Sequence, residues 1–365
     1  MINYDKTEIK QALTLQNIYE LLELWGGEPE YTSFGIISST ICHNAPLMGS
    51  RKLYYYENSM LFNCWTNCGS HDIFDLYIKI MKIQYNKDVD LNDAVRYVAQ
   101  YFNMSGTEVE EDTRGLEDWK IFERYEKIKD IKAKDYTVIL KTYDEDILSR
   151  FNYTAKIGPW LQEGIKQEAL DDAHIGFYPG GDQITIPHYD KEGRFIGLRG
   201  RTLCKEEAER YGKYRPLKIN KQLFTHALGM NLYNLNNSKD NIARMGKAIV
   251  LESEKSCLQY RSYFGSYNDI SVATCGSSIS AYQMNMLIEA GAKEVVIAFD
   301  RQFQTLGDDE YKKLVDKLKR IHTKWKNYVT VSFIFDKKMI TGYKASPTDE
   351  GPEKFIQLFN ERVFL

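Results

Sequence analysis

Two short apolar runs that stop abruptly at a carboxylate constrain this chain most: Ala248-Ile-Val-Leu251 before Glu252, and Val295-Val-Ile-Ala-Phe299 before Asp300. Runs this short, rich in β-branched residues and apolar on both faces, read as strands of a parallel sheet covered by helices. Similar runs at 270–273 and 329–335 bring the strands after Gly246 to four. Before the last of them, Tyr311, Leu314, Val315, Leu318, Ile321 and Trp325 fall on one face of a helix. In open sheets of this kind the chemistry sits just past the carboxyl ends of the strands. Glu252, Asp300 and Asp336 each follow such a run, so their carboxylates are expected at one edge, where oxygen ligands suit Mg²⁺ or Mn²⁺. Any one of them alone could equally be a polar loop residue, and Glu254 reads as a supporting or simply exposed acid.

With 365 residues, 43% of them hydrophobic, the chain is long enough for two or three domains. Its formal net charge of -3 gives no whole-protein signature of nucleic-acid binding, so any such signal must be local. No apolar run approaches the roughly 18 residues of a membrane span, and the first residues lack a signal peptide's apolar core; a cytoplasmic location is expected. Of six cysteines, Cys42, Cys64 and Cys68 lie close together, whereas Cys204, Cys257 and Cys275 are scattered. In a cytosolic chain such clustering points to metal before disulfide.

Around those cysteines the pattern is that of a small module. Leu15, Ile18, Leu21, Leu22 and Trp25 recur at helical spacing before Gly26-Gly27 ends the helix. The segments 52–57 and 59–64 look like a hairpin, and helices are expected around 73–80 and 91–102. Cys42, His43, Cys64 and Cys68 supply the three thiolates and one imidazole of a tetrahedral structural zinc, with His71 an alternative fourth ligand; the plainer alternative is buried thiols beside a surface histidine. Lys52, Tyr54, Tyr55, Tyr56, Phe62 and Trp65 mix basic and aromatic side chains on strands, a combination that can stack on unpaired bases. Alternation along a strand sends about half of such aromatics to the core.

From Met104 to Asp135 the chain is polar and charged, as a linker would be. Beyond it, 183–187 and 194–199 read as strands around the turn Asp190-Lys-Glu-Gly193. Between Arg194 and Lys221 stand nine basic residues against three acids, a local charge suited to phosphates. Arg199, Arg201, Lys213 and Lys218 are the candidates within it. The expected organisation is α+β and multidomain: a zinc-ribbon-like module over 1–103, a linker over 104–135, a mixed basic subdomain over 136–245, an α/β lobe over 246–345 and a helical tail over 346–365.

This order resembles the DnaG-type DNA primases, particularly the short forms of phages and mobile elements. The carriers are Ile41-Cys-His-Asn44 through Lys52-Leu-Tyr-Tyr-Tyr56 to Phe62-Asn-Cys64 and Cys68-Gly69; then Asp182-Gln-Ile-Thr-Ile-Pro187, Gly197-Leu-Arg-Gly-Arg201, Lys213-Tyr214 and Leu232-Tyr233; then Glu252-Ser-Glu-Lys255 and Asp300-Arg-Gln302. The resemblance implies a Toprim-like carboxyl-terminal lobe and an RNA polymerase that starts chains on single-stranded DNA from ribonucleoside triphosphates. Glu252 and Asp300 would be its catalytic acids, holding Mg²⁺ or Mn²⁺. The zinc module, with Lys52 and Trp65, would help choose the start site, and Arg199, Arg201, Lys213 and Lys218 would neutralise phosphates. Three positions depart from the family pattern: Gln302 stands for the second acid of Asp-x-Asp, Ser253 for a glycine and Ala345 for an aspartate; Asp336 and Asp349 are the candidates to compensate. The chain is expected to lack a helicase-binding domain, leaving a separate replicative helicase as a possible partner. A Toprim nuclease, or a weakened zinc and nucleic-acid-binding replication factor, is the alternative.

Overall fold

A computed structural model describes residues 2–104, 107–108, 140–151 and 157–365. Most of the linker expected over 104–135 lies outside the described residues, as does the start of the expected basic subdomain. The first unit runs from β1 (Ile2–Asn3) and α1 (Lys6–Ala12) into α2 (Leu15–Leu24). Thr14 and Asn17 cap α2 reciprocally, and its Ile18, Leu21 and Leu22 are buried. An antiparallel meander follows in chain order: β2 (Glu30–Thr32), β3 (Gly35–Ser38), β4 (Leu53–Tyr56), β5 (Leu61–Cys64) and β6 (Gly69–His71). Strand alternation sorts the side chains: Leu53, Tyr55 and Phe62 enter the core, while Tyr54 and Tyr56 face outward. Helix α3 (Ile73–Tyr85) starts on the Asp72 carboxylate, which accepts the N–H groups of Phe74 and Asp75 at 3.0 Å, and α4 (Leu91–Tyr101) closes the core. The short β7 (Thr107–Glu108) pairs with β1.

After α5 (Gly158–Gln162) and α6 (Gln167–Asp172) comes a second antiparallel sheet: β8 (Gly176–Tyr178), β9 (Gln183–Tyr189), β10 (Phe195–Thr202), then α7 (Lys205–Tyr211), β11 (Tyr214–Ile219) and β12 (Gln222–Phe224). The expected turn at 190–193 forms because the Asp190 carboxylate accepts the Glu192 and Arg194 N–H groups and Gly193 takes φ +85°. One face of this sheet packs Phe195, Leu198 and Leu217 into a core of its own. Its other face gives Ile184 and Ile186 to the main core.

The main core surrounds a mixed sheet reached through α8 (Leu235–Met245): β13 (Lys247–Leu251), α9 (Glu254–Phe264), β14 (Ser271–Ala273), α10 (Ala281–Glu289), β15 (Glu294–Ile297), α11 (Asp309–Trp325), β16 (Thr330–Phe333), α12 (Pro352–Asn360) and β17 (Val363–Phe364). The spatial order is β14-β13-β15-β16-β17, with the first four parallel and β17 antiparallel at the edge. The fold is therefore the mixed α+β arrangement the sequence implied, with a largely parallel third sheet. Two strands stop earlier than their apolar runs, so Asp300 and Asp336 each lie three residues beyond the strand end, whereas Glu252 follows β13 directly. The last helix, within the helical tail expected over 346–365, packs on the main core through buried Phe355 and Leu358.

The first and second units are joined through a buried carboxylate. Glu20 of α2, only 6% exposed, accepts from the Thr225 and Tyr101 hydroxyls, the latter at 3.1 Å, and burial raises its pKa. Beside it Lys218 pairs with Glu23 at 2.8 Å, and the rings of Tyr31 and Tyr211 meet at 4.6 Å. Among the described residues no helix is long and apolar enough to cross a membrane.

Candidate functional site

The meander of the first unit brings Cys64 at the end of β5 and Cys68 just before β6 onto the turn that carries Cys42 and His43. All four ligand atoms lie within 4.8 Å of one another. The His43 Nδ1 is 3.3 Å from Cys42 Sγ, 3.7 Å from Cys64 Sγ and 3.2 Å from Cys68 Sγ. A tetrahedron with zinc–ligand distances of about 2.0–2.3 Å has edges of roughly 3.5 Å, so the set fits zinc. The His43 Nε2 lies 3.3 Å from the Thr66 hydroxyl, the kind of outer contact that fixes a ligand imidazole's orientation. Burial disfavours the Cys64 thiolate, but N–H groups of Asn67, Cys68 and Thr66, with the Thr66 hydroxyl, outweigh it and bring the thiol down to about 6. His71 stays out of the cluster: it is buried against Phe62, with ring centroids 5.9 Å apart, and its Nδ1 faces the Gly69 carbonyl at 3.1 Å.

At the parallel sheet β13 connects onward to β14 on one side and β15 to β16 on the other. The crevice between β13 and β15 is thus the switch point, where ligands bind in sheets of this type. Glu252 and Asp300 leave the sheet there, and the Asp300 N–H donates to the Glu252 carboxylate. The Asp300 Oδ1 is buried without a hydrogen-bond partner. Burial, then the nearby charges of Glu252 and Asp349, push the Asp300 carboxyl up to about 8, against the pull of Lys255 and Lys317; burial also raises Glu252. Crowded, under-coordinated carboxylates of this kind suit a divalent cation bound through two acids.

The other two acids expected here are occupied. Asp336 accepts from the N–H groups of Ile340 at 2.9 Å and Thr341 at 2.8 Å and from the Thr341 hydroxyl at 2.9 Å, closing its own loop. In Asp349, Oδ1 receives Lys255 Nζ at 2.7 Å and Gln259 Nε2 at 3.2 Å, and Oδ2 receives the Ser346 N–H at 2.8 Å. Gln302 and Ala345 belong to adjoining segments, since the Arg301 N–H donates to the Ala345 carbonyl at 3.1 Å. Sequence reading assigned no role to Lys255 or Lys317. The available signals were that Lys255 sits in the first turn of α9, and that Lys317 borders the apolar stripe of α11, three residues after Leu314.

The basic segment divides into engaged and exposed side chains. Arg199 of β10 donates to Glu254 Oε1 at 2.9 Å, and His188 Nε2 meets the same oxygen at 3.1 Å, with Glu254 and His188 each 1% exposed. Burial opposes the charge on Glu254, but Arg199 and His188 outweigh it and hold the carboxyl at about 2. Glu254, read from sequence as supporting or exposed, is the buried partner of a residue read as a phosphate binder. Lys218 is likewise engaged, by Glu23. Arg201 is half-buried beside the Tyr214 hydroxyl, and Lys213 is exposed.

On the outer face of the first meander, Tyr54 and Tyr56 lie beside Phe34, with centroids 5.6 and 5.3 Å away, and Trp65 meets Tyr54 edge-on at 6.4 Å. Trp65 is 61% exposed, and its backbone N–H donates to the carbonyl of exposed Lys52 at 3.0 Å. Phe34, missed from sequence, joins the ladder because the β2–β3 turn folds it over the sheet.

No protein-family model matches the chain. The SPbeta prophage-derived uncharacterized protein YorJ of Bacillus subtilis (strain 168) is 34% identical over 381 aligned positions, taking in 99% of this chain and 98% of that protein. Among solved structures, the chain is similar to the Aquifex aeolicus primase (zinc-binding and RNA polymerase domains), at 17% identity and a TM-score of 0.46, over 100% of this chain and 87% of that one. It is also similar to a DNA primase domain from Pseudomonas aeruginosa, at 16% identity and a TM-score of 0.46, over 60% of this chain and 78% of that one.

Proposed function

We propose, for a chain that belongs to the family of the prophage protein YorJ, that it is a DNA primase joining ribonucleotides into short RNA primers on single-stranded DNA. The observation that carries this reading is the Glu252–Asp300 pair, which meets at the switch point of the parallel sheet with the Asp300 Oδ1 buried and unpartnered. Glu252 and Asp300 would hold Mg²⁺ or Mn²⁺, which when bound neutralises a nucleoside triphosphate and favours attack by a ribose 3′-hydroxyl. The chain's own residues do the rest. Lys213 and Arg201 face phosphates of template or nucleotide, Arg199 holds Glu254 in the turn that follows Glu252, and the ladder of Phe34, Tyr54, Tyr56 and Trp65 with Lys52 offers rings to unpaired bases. The four-donor Cys/His set would hold a structural zinc that fixes the strands bearing that ladder. A separate replicative helicase remains a candidate partner.

A second reading, a catalytically weakened zinc and nucleic-acid-binding replication factor, is favoured by Gln302 and Ala345 and by the occupied carboxylates of Asp336 and Asp349. One assay separates the two. The purified chain is incubated with single-stranded DNA, labelled ribonucleotides and Mg²⁺ or Mn²⁺, beside Glu252→Gln, with and without a helicase. Oligoribonucleotides that vanish in the variant support a primase. Template cleavage that depends on Glu252 would point to a nuclease, and binding without either product to the weakened factor.

A further inference from the structure

The loop 274–280 leaves the carboxyl end of β14, a strand parallel to the one that Glu252 follows, and three parts of the molecule are tied to it. On the side of the sheet, the Thr274 N–H donates to the carbonyl of Leu251, the residue before Glu252, at 3.0 Å. The Ser277 carbonyl accepts from Lys317, whose ammonium lies 4.3 Å from the ring centroid of Phe299, the residue before Asp300. On the side of the basic sheet, Ser280 Oγ donates to the Gly229 carbonyl at 2.6 Å, and Gln283 Nε2 reaches the carbonyls of Leu228 at 3.0 Å and Asn231 at 2.7 Å. The third part is Asn103, just past α4 of the first unit. It is 2% exposed and takes φ +52°, a left-handed turn that asparagine tolerates better than most residues. Its Nδ2 donates to the carbonyls of Thr274, at 3.3 Å, and of Ser278, and its own carbonyl accepts from Ser278 Oγ at 3.0 Å. Gly276 allows the approach: a Cβ there would stand 3.0 Å from the Asn103 Cβ and 3.1 Å from the Phe102 and Asn103 carbonyl oxygens. A second fastening joins the first unit to the basic sheet through Lys218 and Glu23 at 2.8 Å and the Thr225 hydroxyl on Glu20.

Resting on the primase reading above, we propose that the cysteine-bearing unit is a fixed part of its own chain's catalytic lobe, latched by Asn103 to the loop that braces the strands of Glu252 and Asp300. It then serves the carboxylate edge of its own chain and not that of a neighbour. Reciprocal hydrogen bonds from a buried amide are directional, so they hold one register where apolar contact alone would let the units slide. Nucleic acid bound by a fixed unit also meets the edge as an intramolecular partner, at an effective concentration that a loose tether would lower. Asn103 acts through the loop, so it is a positioning residue.

The test has two arms, and the first needs no primer synthesis. A carbodiimide, which condenses an amine and a carboxylate in contact into an amide, is applied to the dilute, zinc-loaded wild-type chain, and the digested peptides are read by mass spectrometry. The Lys218–Glu23 peptide pair is expected in the band of the single chain. That pair found only in a two-chain band, or not found at all, would overturn the proposal. In the second arm, Asn103→Ala is expected to raise the KM for single-stranded template by about tenfold, the scale of one or two lost hydrogen bonds, with kcat at saturating template within about twofold of wild type. A folded Asn103→Ala chain with the wild-type template KM would overturn the latch. Should that variant not fold, Ser278→Ala removes the reciprocal hydrogen bond and is expected to move KM in the same direction. No primers from wild type would remove the primase reading alone, because the cross-link decides where the unit sits either way.

Discussion

The two candidate metal centres are built on opposite plans. In the Cys/His centre four donors already stand within 4.8 Å of one another, on the strands and turns of one meander. At the carboxylate edge Asp300 has a buried, unpartnered Oδ1 beside Glu252, Asp336 and Asp349 are occupied by the protein, and the charges of two lysines act on the pair. A closed set of soft donors is what a structural ion requires, and an open, under-coordinated pair is what a substrate-facing ion requires. The contrast teaches that the first centre should matter to folding and the second to chemistry, and four experiments bear on it.

The largest effect is expected from Cys64→Ser. Structural zinc contributes an apparent ~10–16 kcal/mol in small zinc modules, so the variant should lose its bound zinc and expose the first unit to proteases. Metal analysis with limited proteolysis reads this, and a zinc-free wild type that is equally protease-resistant would break the contrast.

Asp300→Asn should do the reverse, lowering primer synthesis by about 1000-fold, the equivalent of several kcal/mol, without loss of zinc. It should also change the pH dependence of stability. The Asp300 carboxyl is raised from 3.8 to about 8 in the fold, so without added Mg²⁺ or Mn²⁺ its stabilising protonated form is fully present below pH 3.8 and is lost as pH rises through 8. Thermal melts at pH 6 and 8.5 should show that decline in wild type and a flatter profile in Asp300→Asn.

Glu254→Gln comes next, because it leaves Arg199 buried without its charge partner; breaking such a pair costs about 3–5 kcal/mol. The Glu254 carboxyl is held at about 2 against 4.5, so its contribution is present above pH 4.5 and is lost as pH falls toward 2. Denaturant titrations of wild type and variant at pH 7 and pH 3 should therefore differ most at pH 7.

The smallest effect is expected from Trp65→Ala. It should weaken single-stranded DNA binding by about 1–3 kcal/mol, the contribution of one stacked base, with zinc content unchanged. Fluorescence anisotropy with an oligonucleotide checks it, and an unchanged affinity would remove the aromatic ladder from the interface.

Much of this was legible in the chain because it depended on local pattern. The apolar runs ending at Glu252 and Asp300 announced a parallel sheet, and the bunching of Cys42, Cys64 and Cys68 announced a cluster. What stayed hidden depended on contacts between distant segments. Nothing around Glu254 says that Arg199, 55 positions earlier, will bury its guanidinium there. Asp336 and Asp349 look like ligands until the loop amides and the lysine that occupy them are seen in place. Lys218, one of nine basic residues in its stretch, gives no hint that it faces Glu23 on a helix near the amino terminus.

The carboxylate of Glu20 bears on how this molecule comes apart. It lies buried beneath Thr225 and Tyr101, where the first and second units meet, with the Tyr31 and Tyr211 rings in contact nearby. Separating the units would break the Thr225 and Tyr101 hydrogen bonds to that carboxylate and part the two tyrosine rings at once, so the two units are expected to melt together. A calorimeter should record a single endotherm spanning the cysteine-bearing unit and the basic sheet. Extracting zinc should move that whole endotherm to lower temperature rather than split a shoulder from it.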